Sequence, residues 1–116
     1  MRLLLNTGKV NVDSRDNERQ TPLSQAASCG YKAIMRLLLD AGKVDVDSRD
    51  NKGHTPLLWA ALRGHKVAVR LLLDTCKVDA DSRDNEGQTP LSRAVSCGHK
   101  AIVRLLEYHL DRYGAF

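Results

Sequence analysis

The chain has 116 residues, 42% hydrophobic and 28% charged, with a formal net charge of +4, an ordinary globular balance long enough for one domain. No apolar run approaches the ~20 residues of a membrane-crossing helix, and the N-terminus does not read as a signal peptide. Aromatic residues make up only 4%, so the core is predicted to be aliphatic, and the mild basic excess is too interleaved with Asp to argue for nucleic acid.

In chain order, Met1-Arg2-Leu3-Leu4-Leu5 repeats residue for residue as Met35-Arg36-Leu37-Leu38-Leu39. The chain is therefore expected to open inside the second helix of a repeat whose first half is missing, with residues 1–12 as the remnant. So short a stretch cannot hold a helix alone. It is expected to dock on the first full repeat and to leave an apolar N-terminal face open to self-association.

Thr21-Pro22-Leu23, Thr55-Pro56-Leu57 and Thr89-Pro90-Leu91 follow one another at intervals of 34 residues. Each reads as a helix start, because a Thr hydroxyl accepts from a free first-turn amide and Pro fits the first helical position. In the middle unit, Asp47 to His54 is polar and turn-rich, suited to an exposed β-turn or short hairpin. Pro56 to about Arg63 reads as a short helix with Leu57, Ala60 and Ala61 inward. Gly64-His65 breaks it. Lys66 to about Asp74 is a second helix, apolar on most sides and so expected to be sandwiched between layers. The same register joins Ser14, Ser48 and Ser82, then Asp16, Asp50 and Asp84, then Gly30, Gly64 and Gly98. A fixed period of units too small to bury their own apolar faces predicts a stacked solenoid.

These residues resemble the ankyrin repeat in the order turn, Thr-Pro-Leu helix, Gly-His break and Leu-rich second helix, over nearly the whole chain. The tetratricopeptide repeat shares the period but is almost wholly helical, and the polar stretch Asp45 to His54 fits neither of its helices. One residue beyond the usual ankyrin period falls in Gly42-Lys43-Val44, and this resembles a subtype of long fungal arrays. The family's Thr-Pro-Leu-His is Thr-Pro-Leu-Ser at Ser24 and Ser92 and Thr-Pro-Leu-Leu at Leu58. A Ser hydroxyl can replace part of the missing imidazole's bonding between turns; Leu58 cannot. Arg19 stands where Gly53 and Gly87 stand, so the first turn is expected to be strained or differently shaped. Cys76 replaces the helix-ending Gly8 and Gly42.

At the C-terminus, Glu107 replaces the third Leu and Leu110 the helix-ending Gly, so the last helix is expected to reach about Arg112. Ile102, Leu105, Leu106, His109, Leu110 and Tyr113 would keep an apolar face and Arg104, Glu107, Tyr108 and Asp111 a polar one, as in a capping repeat. The units are therefore 13–46, 47–80 and a capping 81–116, in an all-α ankyrin-repeat solenoid with β-turn or hairpin loops.

Catalytic chemistry finds no support, because no Ser–His–Asp or Cys–His spacing, phosphate loop or paired-carboxylate arrangement is present. Asp45-Val46-Asp47-Ser48-Arg49-Asp50 fails as a calcium loop, since Arg49 takes a ligand position and Pro56 stands where the closing Glu belongs. His65 and His99 belong to the Gly-His break rather than to a metal. The three cysteines, Cys29, Cys76 and Cys97, form no compact framework, and the odd count reads as a reduced, intracellular and cytoplasmic protein. Arg15, Arg49 and Arg83 run beside Asp13, Asp47 and Asp81 and beside Asp16, Asp50 and Asp84, a pattern that stitches turns together rather than holding phosphates.

The resemblance implies a non-catalytic module that binds a protein through its turn tips and the concave first-helix face, without cofactor, metal, nucleic acid or membrane. A structural spacer within a longer array is the alternative. Within that frame the units diverge at Gln25/Trp59/Arg93, Ser28/Leu62/Ser96, Glu18/Lys52/Glu86 and Gln20/His54/Gln88. A column holding Gln and Arg is not deep core, so Trp59 is expected to be partly exposed. Trp59 and Leu62 are the expected anchor, Arg63 and Arg93 offer charged bonds, His54, Lys52, Gln20 and Gln88 are expected to read the rim, and Gln25, in the column of Trp59, joins the protein-binding set. The alternative, which can coexist with this, is that Trp59 packs between first helices with Arg93 stacked on its ring.

Overall fold

A computed structural model describes residues 19–41, 44–75 and 78–110. Six helices occur among them: α1 (Pro22–Cys29), α2 (Lys32–Asp40), α3 (Pro56–Arg63), α4 (Lys66–Asp74), α5 (Pro90–Ser96) and α6 (Lys100–His109). They form three antiparallel pairs, α1/α2, α3/α4 and α5/α6. The first helices line up in one layer as α1, α3, α5 and the second helices in another as α2, α4, α6. This is the expected all-α solenoid of stacked helix-turn-helix units.

The caps form for the reason the sequence suggests. Thr21, Thr55 and Thr89 are extended, and their side chains accept from the amides of Ser24, Leu58 and Ser92 at 3.2, 3.2 and 3.1 Å. Proline follows each of them, where its missing N–H costs nothing. Gly30 and Gly64 close α1 and α3 in the left-handed conformation, with φ of 72° and 81°. Each glycine also lies under an imidazole of the next unit. His65 Nε2 meets the Ser28 carbonyl at 2.9 Å and His99 Nε2 meets that of Leu62 at 3.1 Å. A Cβ on Gly30 or Gly64 would come within 2.7 Å of these rings. The Gly-His break is thus a clasp between neighbouring units.

The core is aliphatic and small. Leu57, Ala60 and Ala61 are fully buried, and so are their counterparts Leu23 and Ala27. Alanine at these sites lets the first helices approach closely. Met35, Leu38, Val69, Leu72, Ile102 and Leu106 fill the space toward the second layer. Contrary to the expectation of a helix sandwiched between layers, α4 has a solvent side: Lys66, Arg70 and Asp74 are exposed and Val67 is 46% exposed. Helices α2, α3 and α6 cover three of its sides, and among the described residues no helix covers the fourth.

The polar stretches are turns, with no strand among the described residues. Asp50 N donates to His54 O and Gly53 N to Asp50 O; Asp84, Gln88 and Gly87 repeat both bonds. Arg19 takes the glycine position of the first turn with φ of 65°, close to the 78° of Gly53. Arg19 thus adopts the left-handed conformation, at the cost that this carries for a residue with a Cβ. Adjacent turns are stitched by Asn85 N to Lys52 O at 3.0 Å and by Asn85 Nδ2 to Asn51 O at 2.9 Å. Arg49 donates to the carbonyls of Gly53 and Arg83. Asp47 accepts from Asp79 N. Arg49 and Asp47 thus join turns through peptide groups rather than through each other.

The expected seryl replacement is corrected: among the described residues the Ser24 and Ser92 hydroxyls bond Thr21 and Thr89 of their own units, and it is the threonine hydroxyl that crosses a joint. Thr21 and Ser48 hydroxyls meet at 3.0 Å between the first two units. Ser82 Oγ, one joint further on, is buried without a partner, and Leu58 lies in that joint fully buried. The expectations for Met1 to Glu18, Gly42-Lys43, Cys76 and the helix end at Asp111 to Tyr113 fall outside the described residues.

Candidate functional site

The face formed by the turns and the first helices is organised by two aspartates. Asp50 and Asp84 each sit where the chain enters a tight turn, and one carboxylate oxygen closes it. Oδ1 of Asp50 accepts from the amides of Lys52 and His54, both at 2.9 Å; Oδ1 of Asp84 accepts from those of Glu86 and Gln88, also at 2.9 Å. The second oxygen takes side chains. Asp50 Oδ2 accepts from Trp59 Nε1 at 2.7 Å and from Gln20 Nε2 at 3.3 Å. Asp84 Oδ2 accepts from Arg93 Nε at 3.0 Å and Nη2 at 2.6 Å, with His54 Nε2 at 3.1 Å.

One rule covers both hubs. The residue nine positions on, Trp59 or Arg93, reaches back from its own first helix. The residue thirty positions earlier, Gln20 or His54, reaches forward from the preceding turn. Burial alone would raise both carboxyls. The backbone amides of the turns, with Trp59 and Gln20 at Asp50 and Arg93 at Asp84, outweigh it and hold both below the ordinary carboxylate range. Bonds to Glu86 and Asp84 push Arg93 up in turn. Asp47 goes the other way, raised first by burial and then by the like charges of Asp79 and Asp45 against the Asp79 amide and Arg49.

Two expected placements are corrected. His54 is not a rim residue: it is 7% exposed, drawn inward by Asp84 and packed edge-on against Trp59 with ring centroids 4.8 Å apart. The cation over the Trp59 ring is Arg63, 5.4 Å from the centroid, and not Arg93. Arg63 is one helical turn beyond Trp59 on the same face, whereas Asp84 and Glu86 hold the Arg93 guanidinium. With Nε2 of His54 facing a carboxylate, the neutral ring carries its proton there. Its Nδ1 is then a buried acceptor, and no partner among the described residues reaches it.

Between the second and third turns lies a cleft of about 390 Å³ lined by Asn51, Lys52, His54, Leu62, Asn85, Glu86 and Arg93. It brings together four of the anticipated residues, Lys52, His54, Leu62 and Arg93. Trp59 is half-buried beside His54, and Arg63 is exposed over it. Gln20 belongs to the preceding hub, Gln25 is exposed on α1, and Gln88 is half-buried on the third turn. The residues that sequence reasoning passed over as organisers are Asp50 and Asp84. Their signal is there: Asp-Asn recurs at each 34-residue step, as Asp-Asn-x-Gly at Asp50 and Asp84 and as Asp-Asn-Glu-Arg at Asp16. No group of metal-ligating side chains occurs among the described residues.

A family model of ankyrin repeats in three copies matches residues 42–113, and a second, of ankyrin repeats in many copies, matches residues 3–58. The chain belongs to the ankyrin-repeat family. No curated protein matches it. Ankyrin repeats generally serve as protein–protein interaction modules and are typically not catalytic. The helix pairs described above are ankyrin units, and no helix among the described residues is long and apolar enough to cross a membrane.

Proposed function

We propose that this ankyrin stack is a non-catalytic recognition module whose protein partner docks on the face around the cleft between the second and third turns. The units run 13–46, 47–80 and 81–116. The observation that carries the reading is the cleft itself, with Leu62 as its apolar wall, Lys52 and Glu86 at its mouth and the half-exposed Trp59–Arg63 pair adjoining it. The hubs hold Trp59, His54 and Arg93 in place before any partner arrives, so docking orders few side chains. Leu62 and Trp59 supply apolar contact, Arg63, Lys52 and Gln25 supply exposed polar groups, and Gln20 and Gln88 flank the groove. The odd cysteine count supports an intracellular, cytoplasmic setting.

The test is capture from cell lysate with the wild-type chain, Leu62→Asp and Lys52→Glu, each matched for helicity by circular dichroism. A partner retained by the wild type and lost by both variants supports docking at this cleft. The same set of proteins on all three baits refutes it.

A further inference from the structure

The opposite side of the stack carries a second ordered pattern. Each second helix begins with a lysine and places an arginine one turn later: Lys32 and Arg36 on α2, Lys66 and Arg70 on α4, Lys100 and Arg104 on α6. All six are exposed, and none makes a side-chain hydrogen bond or ion pair with another described residue. The arrangement is unfavourable by itself. Like charges four residues apart destabilise a helix, and a lysine in the first turn faces the positive end of the helix dipole. No acidic residue stands in the first turn of any of the three helices. A counter-charge supplied from outside would relieve both terms.

We propose that this second-helix face binds an extended acidic segment of another protein, laid across α2, α4 and α6. The dimensions suit such a chain. Neighbouring packed helices lie about 10 Å apart, and three residues of an extended polyproline II segment span about 9 Å and bring the side chain back to the same side. A carboxylate at every third position therefore meets one Lys–Arg pair per helix. Beside the cations run apolar side chains, Leu37 at 44% and Val67 at 46% exposed, which would cover the apolar residues between the acids.

The acidic groups on this side narrow the choice. Asp40 and Asp74 are exposed at the far ends of α2 and α4, and Glu107 is exposed on α6. A broad polyanion, whether duplex nucleic acid or an anionic membrane, would press on these carboxylates as well as on the cations. A single extended strand lies along the cation rows alone. Single-stranded nucleic acid relies on aromatic platforms, and the only exposed aromatics of these helices, Tyr31 and Tyr108, lie on the outer two units.

Fluorescence anisotropy with the full chain and a labelled twelve-residue peptide bearing Glu at every third position tests the proposal. The expected result is saturable binding at low salt that weakens as salt rises. Lys66→Glu/Arg70→Glu should weaken it by about tenfold or more, since two attractions become repulsions. Lys66→Gln/Arg70→Gln should lose less, and provides the same reading if charge reversal disturbs folding. Leu62→Asp, on the other face, should bind like the wild type, which separates this site from the cleft. Unchanged binding by both Lys66/Arg70 variants, or loss in Leu62→Asp, overturns the inference. So does tighter binding of a DNA oligonucleotide or of phosphatidylserine vesicles than of the peptide.

Discussion

Replacing Asp84 by Asn tests the hub most directly. The amide oxygen of Asn can still accept from the Glu86 and Gln88 amides, so the turn keeps its closure. The amide nitrogen then replaces Oδ2 and faces three donors, two from Arg93 and one from His54. Asp84's side chain is 1% exposed and that of Arg93 21%, so water cannot take over on the aspartate side. A hydrogen bond to a charged group contributes about 1.5–3 kcal/mol. Losing the Arg93 fork should therefore cost about 2–4 kcal/mol, while a neutral His54 can keep its contact by moving its proton to Nδ1 and accepting from the new amide. Asp50→Asn faces the uncharged donors Trp59 and Gln20 and should cost about 1–2 kcal/mol. Urea denaturation followed by circular dichroism at neutral pH measures both. A loss below about 1 kcal/mol for Asp84→Asn, or a larger loss for Asp50→Asn, would refute the assignment of Asp84 as the stronger hub.

Acid should act through the same carboxyls. Asp50 and Asp84 lie below their unfolded value, near 3.9, so their stabilisation is present above that pH and is lost as pH falls through their depressed folded values. Asp47, raised, acts in the opposite sense and offsets part of it. Thermal melts should show a midpoint that falls steeply below about pH 4, and less steeply in Asp84→Asn. Gly64→Ala should cost at least about 1 kcal/mol more than Gly98→Ala: both have positive φ, but only Gly64 has the His99 ring 2.7 Å from the added carbon. Chemical denaturation of the pair checks this. Ser48→Ala should lose about 1 kcal/mol with the Thr21 bond, while Ser82→Ala, which removes an unpartnered buried hydroxyl, should be neutral or slightly stabilising. Equal losses in the two would contradict the description of these joints.

The helices were legible because their boundaries are written locally. Thr-Pro starts and Gly-His ends need only a few adjacent residues, and the inward face of α3 follows from helical spacing. The exposure of Trp59 was legible too, by comparison with Gln25 and Arg93. What Trp59 and Arg93 contact was not, because their acceptors lie nine residues back around a turn. His54 was placed on the rim because it stands in a column with glutamines, yet its bond runs to Asp84, thirty residues away. Only the stacking of one unit on the next creates that distance. The Trp59–Arg63 contact could have been read from their four-residue spacing; Arg93 drew attention instead as the sibling of Trp59.

The forward reach from one turn to the next bears on how such a chain changes length. Gln20 to Asp50 and His54 to Asp84 obey the same offset. Excising any 34 consecutive residues between Thr21 and Asp84 sets Gln20 thirty places before the former Asp84 and leaves that joint chemically intact. Duplication of such a segment likewise supplies donor and acceptor together. Unequal recombination can therefore lengthen or shorten the array without inventing a joint, while the side chains facing the cleft remain free to drift.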